Sequence, residues 1–593
     1  MIFGKHMNRY YLKYGHLILL GILVLLVEDY IMLLIPGFYR MVINGLHGGT
    51  VDMDGVQHVF DMDFLLDKIC LPMVGIILAM TVGRFLWRVL FFGGAVRLET
   101  DLRNRMFDRT RHLSCSFYSR NKVGNLMSLF TNDLDTVQEC FGWGLVMAVD
   151  AIIMGSMAIT KMFRMDPMLT ALTLIPMGLL LACASVVGKY MTKKWDIRQE
   201  AFSRLSDFSQ ESFSGMAVVK AFVKEATELL RFKKLNVENE KANMDHTKAS
   251  VLMRILVTLF VESVVGIILG YGGYLVYKGS FNAGQLVEFI GYFTNIIYPV
   301  MAVSELIDMT SRGKASMDRI GQLLEEKPEV TDRPGLAPME TIRGEIQFKD
   351  LTFRYPGAGY DALKNISFTI EAGQTVGIVG RTGAGKTTLV DLLLRTYNVP
   401  DGTVFADGRD VNEIPIRDLR AGCAYVPQDN FLFSETIGSN IAFGVEDARE
   451  DAVTHAAVLA DIDGNVRQFP KGYDTVLGER GVTVSGGQKQ RISIARALMK
   501  DAPILILDDS VSAVDTGTEK TILTNLREAR QGKTTLVIAH RISTVEQMDK
   551  ILFLEDGALI ACGSHTQLLE SCSAYRKMVR LQQLEEEGGQ LDA

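Results

Sequence analysis

Two short stretches carry residues suited to phosphate chemistry. The first, GRTGAGKTT at 380–388, follows the apolar run TVGIV, opens a helix-like segment and fits G-x-x-x-x-G-K-[ST]. Gly380, Thr382, Gly383, Ala384 and Gly385 form a loop whose backbone N–H groups can turn inward and cradle phosphate oxygens, and the following helix N-terminus adds a favourable dipole. Lys386 can neutralise the β- and γ-phosphates of a nucleotide, and Thr387, with Thr388 beside it, can ligate Mg²⁺. The second stretch, ILILDD at 504–509, is a strand-like run that ends in adjacent carboxylates. Asp508 is placed to hold Mg²⁺ through water. Together the two predict no more than a P-loop nucleotide hydrolase with Mg²⁺.

Between them, residues 484–491 read VSGGQKQR, and here the chain resembles the ATP-binding cassette (ABC) family, whose signature LSGGQ precedes a helix. Ser485, Gly486, Gly487 and Gln488 match, and Val484 replaces the usual leucine. A serine hydroxyl, glycine amides and a helix N-terminus suit a second phosphate cap. The resemblance implies that this cap contacts the γ-phosphate bound by an opposite domain, so that a dimer sandwiches two nucleotides. It also implies that Tyr355 in FRYPG stacks on adenine. Gln428 in YVPQD would touch Mg²⁺ and sense the membrane domain, and Glu479 in LGERG would meet the intracellular loops. Asp515 in SAVD would lie in the loop that crosses the dimer, and His540 in VIAHR would contact the γ-phosphate. The resemblance covers essentially the whole chain and implies the exporter-type (type IV) half-transporter layout.

In that family the acid after Asp508 is a glutamate acting as general base; here it is Asp509. The base must lie within hydrogen-bond reach of the attacking water, and loss of a well-placed one costs about 10²–10⁴ in rate. A side chain one methylene shorter is displaced, or works only after a small backbone shift. With the phosphate loop, Tyr355, Gln428, His540 and the signature retained, the chain resembles the degenerate-site subunit of bacterial heterodimeric multidrug exporters. That resemblance implies a homologous half-transporter as partner, carrying the consensus glutamate, whose fast site this chain's VSGGQ completes.

The elements around these motifs divide near residue 325. The chain has 593 residues, too many for one compact domain. Its hydrophobic content is 48% and its mean hydropathy +0.16, which points to a membrane, whereas 22% charged residues require a large soluble portion. Net charge of −7 argues against nucleic acid as a partner. The seven cysteines show no metal-ligand spacing and are expected to be buried, reduced thiols. No cleavable leader is evident. Residues 1–324 read as a membrane domain with about six spans, at 16–39, 71–94, 141–162, 168–189, 251–277 and 283–307. The connections at 97–122 and 193–248 are strongly basic, which places both termini in the cytoplasm of a multi-pass inner-membrane protein. The same connections are helix-like, so their helices are expected to run beyond the bilayer. Before the first span, KHMNRYYLKYGH reads equally as an interfacial helix or as a basic flank. Residues 325–343 read as a linker. From 344 to 583, strand-like runs (TVGIVG, CAYVP, ILILD, TLVIAH, ILFLEDG) alternate with helix-like ones, an α/β pattern with a largely parallel sheet, and 584–593 forms an acidic tail.

Evidence for coupling and cargo is more dispersed. Residues 118–137 and 211–232 resemble the coupling helices of the family. Charged residues inside spans mark functional positions. Glu28 and Asp29 lie in the first span, Asp150 in the third and Glu262 in the fifth. An acidic cavity would favour cationic amphiphiles. Arg84 should reach the depth of Glu28, so an ion pair competes with that reading, whereas Asp150 and Glu262 have no evident partner. Met147, Met154 and Met157 form a stripe suited to varied apolar ligands or to plain packing. Small amphiphilic molecules are the expected cargo; lipid, peptide or siderophore transport, possibly by a homodimer, is the alternative.

Overall fold

The computed structural model describes residues 4–591 apart from 54, 55, 340, 479, 480, 482 and 513. The chain forms two compact units, Met1–Arg111 with Val123–Glu326, and His112–Lys122 with Lys327–Ala593.

The first unit is built of long helices: α1 (Asn8–Lys13), α2 (Gly15–Met32), α3 (Ile35–Gly48), α4 (Leu71–Thr110), α5 (Leu134–Met165), α6 (Pro167–Ser214), α7 (Glu225–Ile267) and α8 (Ala283–Glu325). Five helical stretches among the described residues are long and apolar enough to cross a membrane: Gly15–Gly48, Met62–Thr110, Val123–Met165, Glu225–Tyr277 and Ala283–Glu325. The remaining expected span falls in α6, which opens with the apolar stretch Pro167–Leu180. Helix starts are set locally. Asp166 accepts from Leu169 N at 2.6 Å with Pro167 in the first turn, and Asn282 and Gln285 form a reciprocal capping box. Helices approach closely through small residues, as membrane helices do. A Cβ at Gly21 of α2 would come within 2.8 Å of the Phe91 ring of α4, and one at Gly291 of α8 within 2.8 Å of Pro36 of α3. The basic N-terminal stretch is helical and tied to this unit. Tyr14 and Lys13 both bind Asp101, and His6 and Lys5 meet Glu325.

Arg84 donates from Nε to Glu28 Oε1 at 2.9 Å, the ion pair that their depths predict. Asp150, expected to stand without a partner, instead lies beside Asp29. α2 packs on α5, so residues far apart in the chain meet. Glu262 is exposed on α7. Met147 and Met154 are buried, which favours the packing reading of that stripe.

The stretch expected to form the first coupling helix is split. Cys115–Arg120 lies in the second unit, and Val123–Ser128 with the π-turn Leu129–Asp133 leads into α5 in the first. The second coupling stretch holds a short helix, Met216–Ala221, flanked by exposed Phe213, Phe222 and Val223. Cys70, Cys115 and Cys562 are exposed, so the thiols are free but not uniformly buried as composition suggested.

The second unit has two sheets. A hairpin in the first unit takes β1 (Thr50–Met53) and β2 (Val56–Val59). The cassette then runs β3 (Ile346–Phe353), β4 (Leu363–Ile370), β5 (Thr375–Gly380), β6 (Val404–Ala406), β7 (Arg409–Asp410), β8 (Cys423–Val426), β9 (Ile504–Asp508), β10 (Thr534–Ile538), β11 (Lys550–Glu555) and β12 (Ala558–Gly563). The larger sheet has the order β12-β11-β5-β10-β9-β8, parallel except for the antiparallel edge strand β12. The smaller, antiparallel sheet β4-β3-β6-β7 was not foreseen from sequence. Strand β9 is buried on both faces: Ile504 and Ile506 enter one apolar cluster, Leu505 and Leu507 the other. This is the two-residue period of a strand packed on both sides, and it reads in sequence as an uninterrupted apolar run.

Candidate active site

In an open parallel sheet, ligands sit at the carboxyl ends of the strands. Four of the predicted segments lie there on neighbouring strands: the phosphate loop after β5, His540 after β10, Asp508 and Asp509 at the end of β9, and Gln428 after β8.

Gly383 and Gly385 have φ of 85° and 92°, conformations that L side chains rarely adopt, and a Cβ at Gly385 would strike the Leu363 side chain at 2.6 Å. Ala384 is buried, whereas Thr382 and Gly383 are exposed. The turn delivers Lys386 to the first position of helix α9 (Lys386–Leu393). Its Nζ folds back over the loop, donating to Gly380 O at 2.9 Å and Arg381 O at 3.1 Å. Burial pulls the Lys386 ammonium below its ordinary value, partly offset by Asp509 and Asp508. Burial likewise raises Asp508, with Asp509 adding to it and the Thr387 hydroxyl opposing. A buried cation and a buried anion side by side suit a ligand bringing both phosphate oxygens and a metal ion. Thr387 Oγ1 lies 3.2 Å from Asp508 Oδ1, so a hydroxyl and a carboxylate from segments far apart converge as an oxygen donor set that fits Mg²⁺.

Asp509 is pinned. Its N–H donates to Ile538 O at 3.0 Å, its carbonyl accepts from Gln490 Nε2 at 3.2 Å, and its φ is 48°. Aspartate is among the side chains that tolerate this left-handed region. The carboxylate Oδ2 stands 3.9 Å from His540 Nε2. The structure therefore brings Lys386, Thr387, Asp508, Asp509 and His540 together. It leaves the Gln428 side chain exposed, with no polar contact to Asp508 among the described residues. Tyr425 reaches Asp508 instead, its hydroxyl 3.5 Å from Oδ2.

Tyr355 is turned inward. Its hydroxyl donates to Thr388 Oγ1 at 3.0 Å and lies 3.4 Å from Asp391 Oδ2, while its ring packs edge-on against Phe353 and Tyr397. Burial pushes its phenol up to about 12, and pushes the Asp391 carboxyl up to about 6. Asp391 and Tyr425 were missed from sequence. Asp391 follows Thr388 by three residues, one helical turn, which is the signal that could have found it.

The signature opens helix α10 (Gly486–Lys500) with Ser485 as its cap. Ser485 N donates to Gln488 Oε1 at 2.9 Å and Gln488 N to Ser485 Oγ at 3.3 Å, so two of the four matching residues hold the helix start. Ser485 and Gly486 are exposed, and Gly487 is partly buried. Asp515 caps helix α11 (Thr516–Ala529), and the Thr518 N–H bond holds its carboxyl below its ordinary value. Glu479 lies outside the described residues.

Comparison with known proteins agrees with this geometry. Residues 18–300 match the model of the ABC transporter transmembrane region, and residues 363–512 the model named ABC transporter. The chain is 37% identical over 589 residues, 99% of its length, to the Bacillus subtilis "Probable multidrug resistance ABC transporter ATP-binding/permease protein YheI", of which it covers 98%. The chain is an ABC transporter. It is also similar to the Escherichia coli "Multidrug resistance-like ATP-binding protein MdlA" (34% identical, 93% of each chain) and to an "ATP-dependent lipid A-core flippase" of Syntrophus aciditrophicus (35% identical, 83% of this chain and 82% of the other). Among solved structures it resembles a bacterial Atm1-family ABC exporter with ATP bound, at a TM-score of 0.77 and 27% identity over 97% of this chain and 98% of that one. The transporter is a multi-pass membrane protein of the exporter fold whose fused cassette couples ATP hydrolysis to translocation.

Proposed function

We propose that this transporter is one half of a heterodimeric exporter, binding ATP at a weak site of its own and completing a stronger site on its partner. The observation that carries the reading is Asp509. The side chain is one methylene shorter than the family's glutamate, and the backbone is bonded on both sides, to Ile538 O and from Gln490, which opposes a compensating shift.

In this reading residues 344–583 are the cassette. The N–H groups of 380–388 and the Lys386 ammonium hold the triphosphate. Tyr355 swings its ring out from Tyr397 to meet adenine, and His540 contacts the γ-phosphate. Thr387, Asp508 and Gln428 would hold Mg²⁺, which would supply neutralisation of phosphate charge. Asp509 orients the water poorly, so hydrolysis here is slow. The exposed Ser485 and Gly486, ahead of a 15-residue helix, are offered to the partner's nucleotide. The basic connections support cytoplasmic termini in an inner membrane. Small amphiphilic molecules are the cargo, supported by the names of the Bacillus and Escherichia relatives. The flippase relative favours a lipid as the second reading.

The test is ATP hydrolysis by the purified full chain, with and without Asp509→Glu. Slow turnover is expected, rising about 100-fold or more in the variant, within the range of a positioned base. Brisk hydrolysis by the wild-type chain alone, unmoved by Asp509→Glu, would mean two identical and competent copies.

A further inference from the structure

The last helix of the second unit, α12 (Ser573–Leu591), carries none of the motif residues but bonds one of them. Tyr575 is fully buried, its hydroxyl 2.9 Å from His565 Nδ1 and its ring edge-on to Phe553. Val579, one turn on, is buried too. Both enter the apolar cluster that holds Ile542 and Val545, just after His540. Residues three, four and seven apart share a helix face, so Gln582 continues the stripe of Tyr575 and Val579. The pattern asks for an apolar residue at that position. A glutamine stands there instead, half-buried, between Leu581 and Gln583, which are exposed.

The Gln582 amide is used at both ends. Its Nε2 donates to His540 O at 2.7 Å, and its Oε1 accepts from Ile542 N at 2.8 Å. A carbonyl needs a donor and an N–H needs an acceptor, so only one orientation of the amide satisfies both. The His540 carbonyl lies in the peptide plane that follows His540, and the Ile542 N–H lies in the next plane. The bracket therefore fixes two successive planes after His540. The sheet fixes the backbone before it: Ala539 N donates to Ile378 O at 3.1 Å, and Asp509 N to Ile538 O at 3.0 Å. The His540 ring is 38% exposed, so packing does little to hold it, and its direction is set by the backbone on either side. That direction places Nε2 3.9 Å from Asp509 Oδ2. Glu519 of α11 grips the same turn further on, accepting from Thr544 Oγ1 and standing 3.7 Å from Arg541 Nη1. Those contacts are to side chains beyond the histidine, whereas Gln582 bonds the histidine's own backbone.

We propose that Gln582 is a positioning residue for His540, through which the last helix sets how well the cassette tells a nucleotide with a γ-phosphate from one without. The proposal rests on the reading above that His540 contacts the γ-phosphate; it does not need Asp509 to be weak or the partner to differ. The test is displacement of a fluorescent nucleotide from the purified full chain, with Mg²⁺, by a non-hydrolysable ATP analogue and by ADP. Wild type prefers the triphosphate. Gln582→Ala lowers that preference about three- to tenfold, the worth of roughly one hydrogen bond, by weakening the triphosphate alone. Gln582→Glu keeps the side-chain shape and the bond from Ile542 N but sets an oxygen against the His540 carbonyl, so it loses the preference at least as far. Gln583→Ala, one exposed residue further on, binds both nucleotides like wild type. His540→Ala loses the preference, and adding Gln582→Ala to it costs nothing more, because the two act as a unit. Equal weakening of both nucleotides in Gln582→Ala would make the glutamine a support of the fold and overturn the proposal. An unchanged preference in both Gln582 variants, with His540→Ala losing it, overturns the proposal and spares the histidine reading. So does a Gln582→Ala loss that adds in full to that of His540→Ala. An unchanged preference in His540→Ala sinks the γ-phosphate reading and takes the proposal with it.

Discussion

Lys386 and Asp508 in the second unit, and Glu28 and Asp29 in the first, are all less than a tenth exposed, yet their surroundings differ in kind. Lys386 is wrapped by carbonyls five and six residues before it, and Asp508 meets Thr387 across a strand register fixed by the parallel sheet. These charges are held by backbone and neighbours so that a polyanion and a cation can be received without rearrangement. Glu28 depends on one arginine from another helix whose side chain is half exposed, and Asp29 lies beside a second acid. Burying a charge is costly unless it is paired, and removing one partner of a pair leaves the full penalty behind. The cassette spreads that risk over many bonds; the membrane helices concentrate it in one or two.

The largest effect expected is at the cassette. Lys386→Ala should weaken binding of a fluorescent ATP analogue about 10–100-fold, the worth of one or two charge-assisted hydrogen bonds. Its thermal unfolding midpoint should move little, because the two carbonyls that Lys386 covers can turn to water. A large loss of stability with binding intact would reverse the contrast and make Lys386 a structural strut.

Next comes the membrane pair. Arg84→Leu should cost about 2–3 kcal/mol of stability, below the full buried-pair figure because the arginine is half exposed. Adding Glu28→Gln should recover most of that loss, measured as the unfolding midpoint in detergent. If the single and double variants melt together, Glu28 was never a burden, and the difference between the two units shrinks to a difference of polarity.

What could be read from the chain follows the same line. The phosphate loop, the β9 acids and the signature are contiguous, and their chemistry is carried by residues within one turn or strand, so their types and spacing announce them. The Glu28–Arg84 pair was also foreseeable, since two antiparallel spans fix depth. Asp29–Asp150 was not, because which face of α2 meets α5 depends on how each packs on α4, at Gly21 against Phe91 and at Gly142 against Ala95 and Phe92. The antiparallel sheet escaped for another reason. Its strands β6 and β7 have three and two residues, too short to show alternation. Gln428 and Tyr355 were read as free to meet their ligands; in the structure one is exposed and the other is bonded inward to Thr388.

The smallest effect tests whether the cassette is as well compensated as its loop suggests. Asp391 lies beneath Tyr355, and burial, with the charge of Asp508 adding to it, lifts its carboxyl from an ordinary 3.8 to about 6. Between those values the folded chain binds more protons than the unfolded one, so stability falls as pH rises through the window and stays lower above it. Asp391→Asn keeps the side-chain shape and removes the charge. It should leave stability unchanged near pH 4 and raise it at pH 7 by on the order of 1 kcal/mol. The gap between variant and wild type should open progressively between those pH values. A gap that is constant across the range would mean that the Tyr355 bond, not burial, governs Asp391. Asp391 would then be a compensated acid, and the contrast with Asp29 would be sharper.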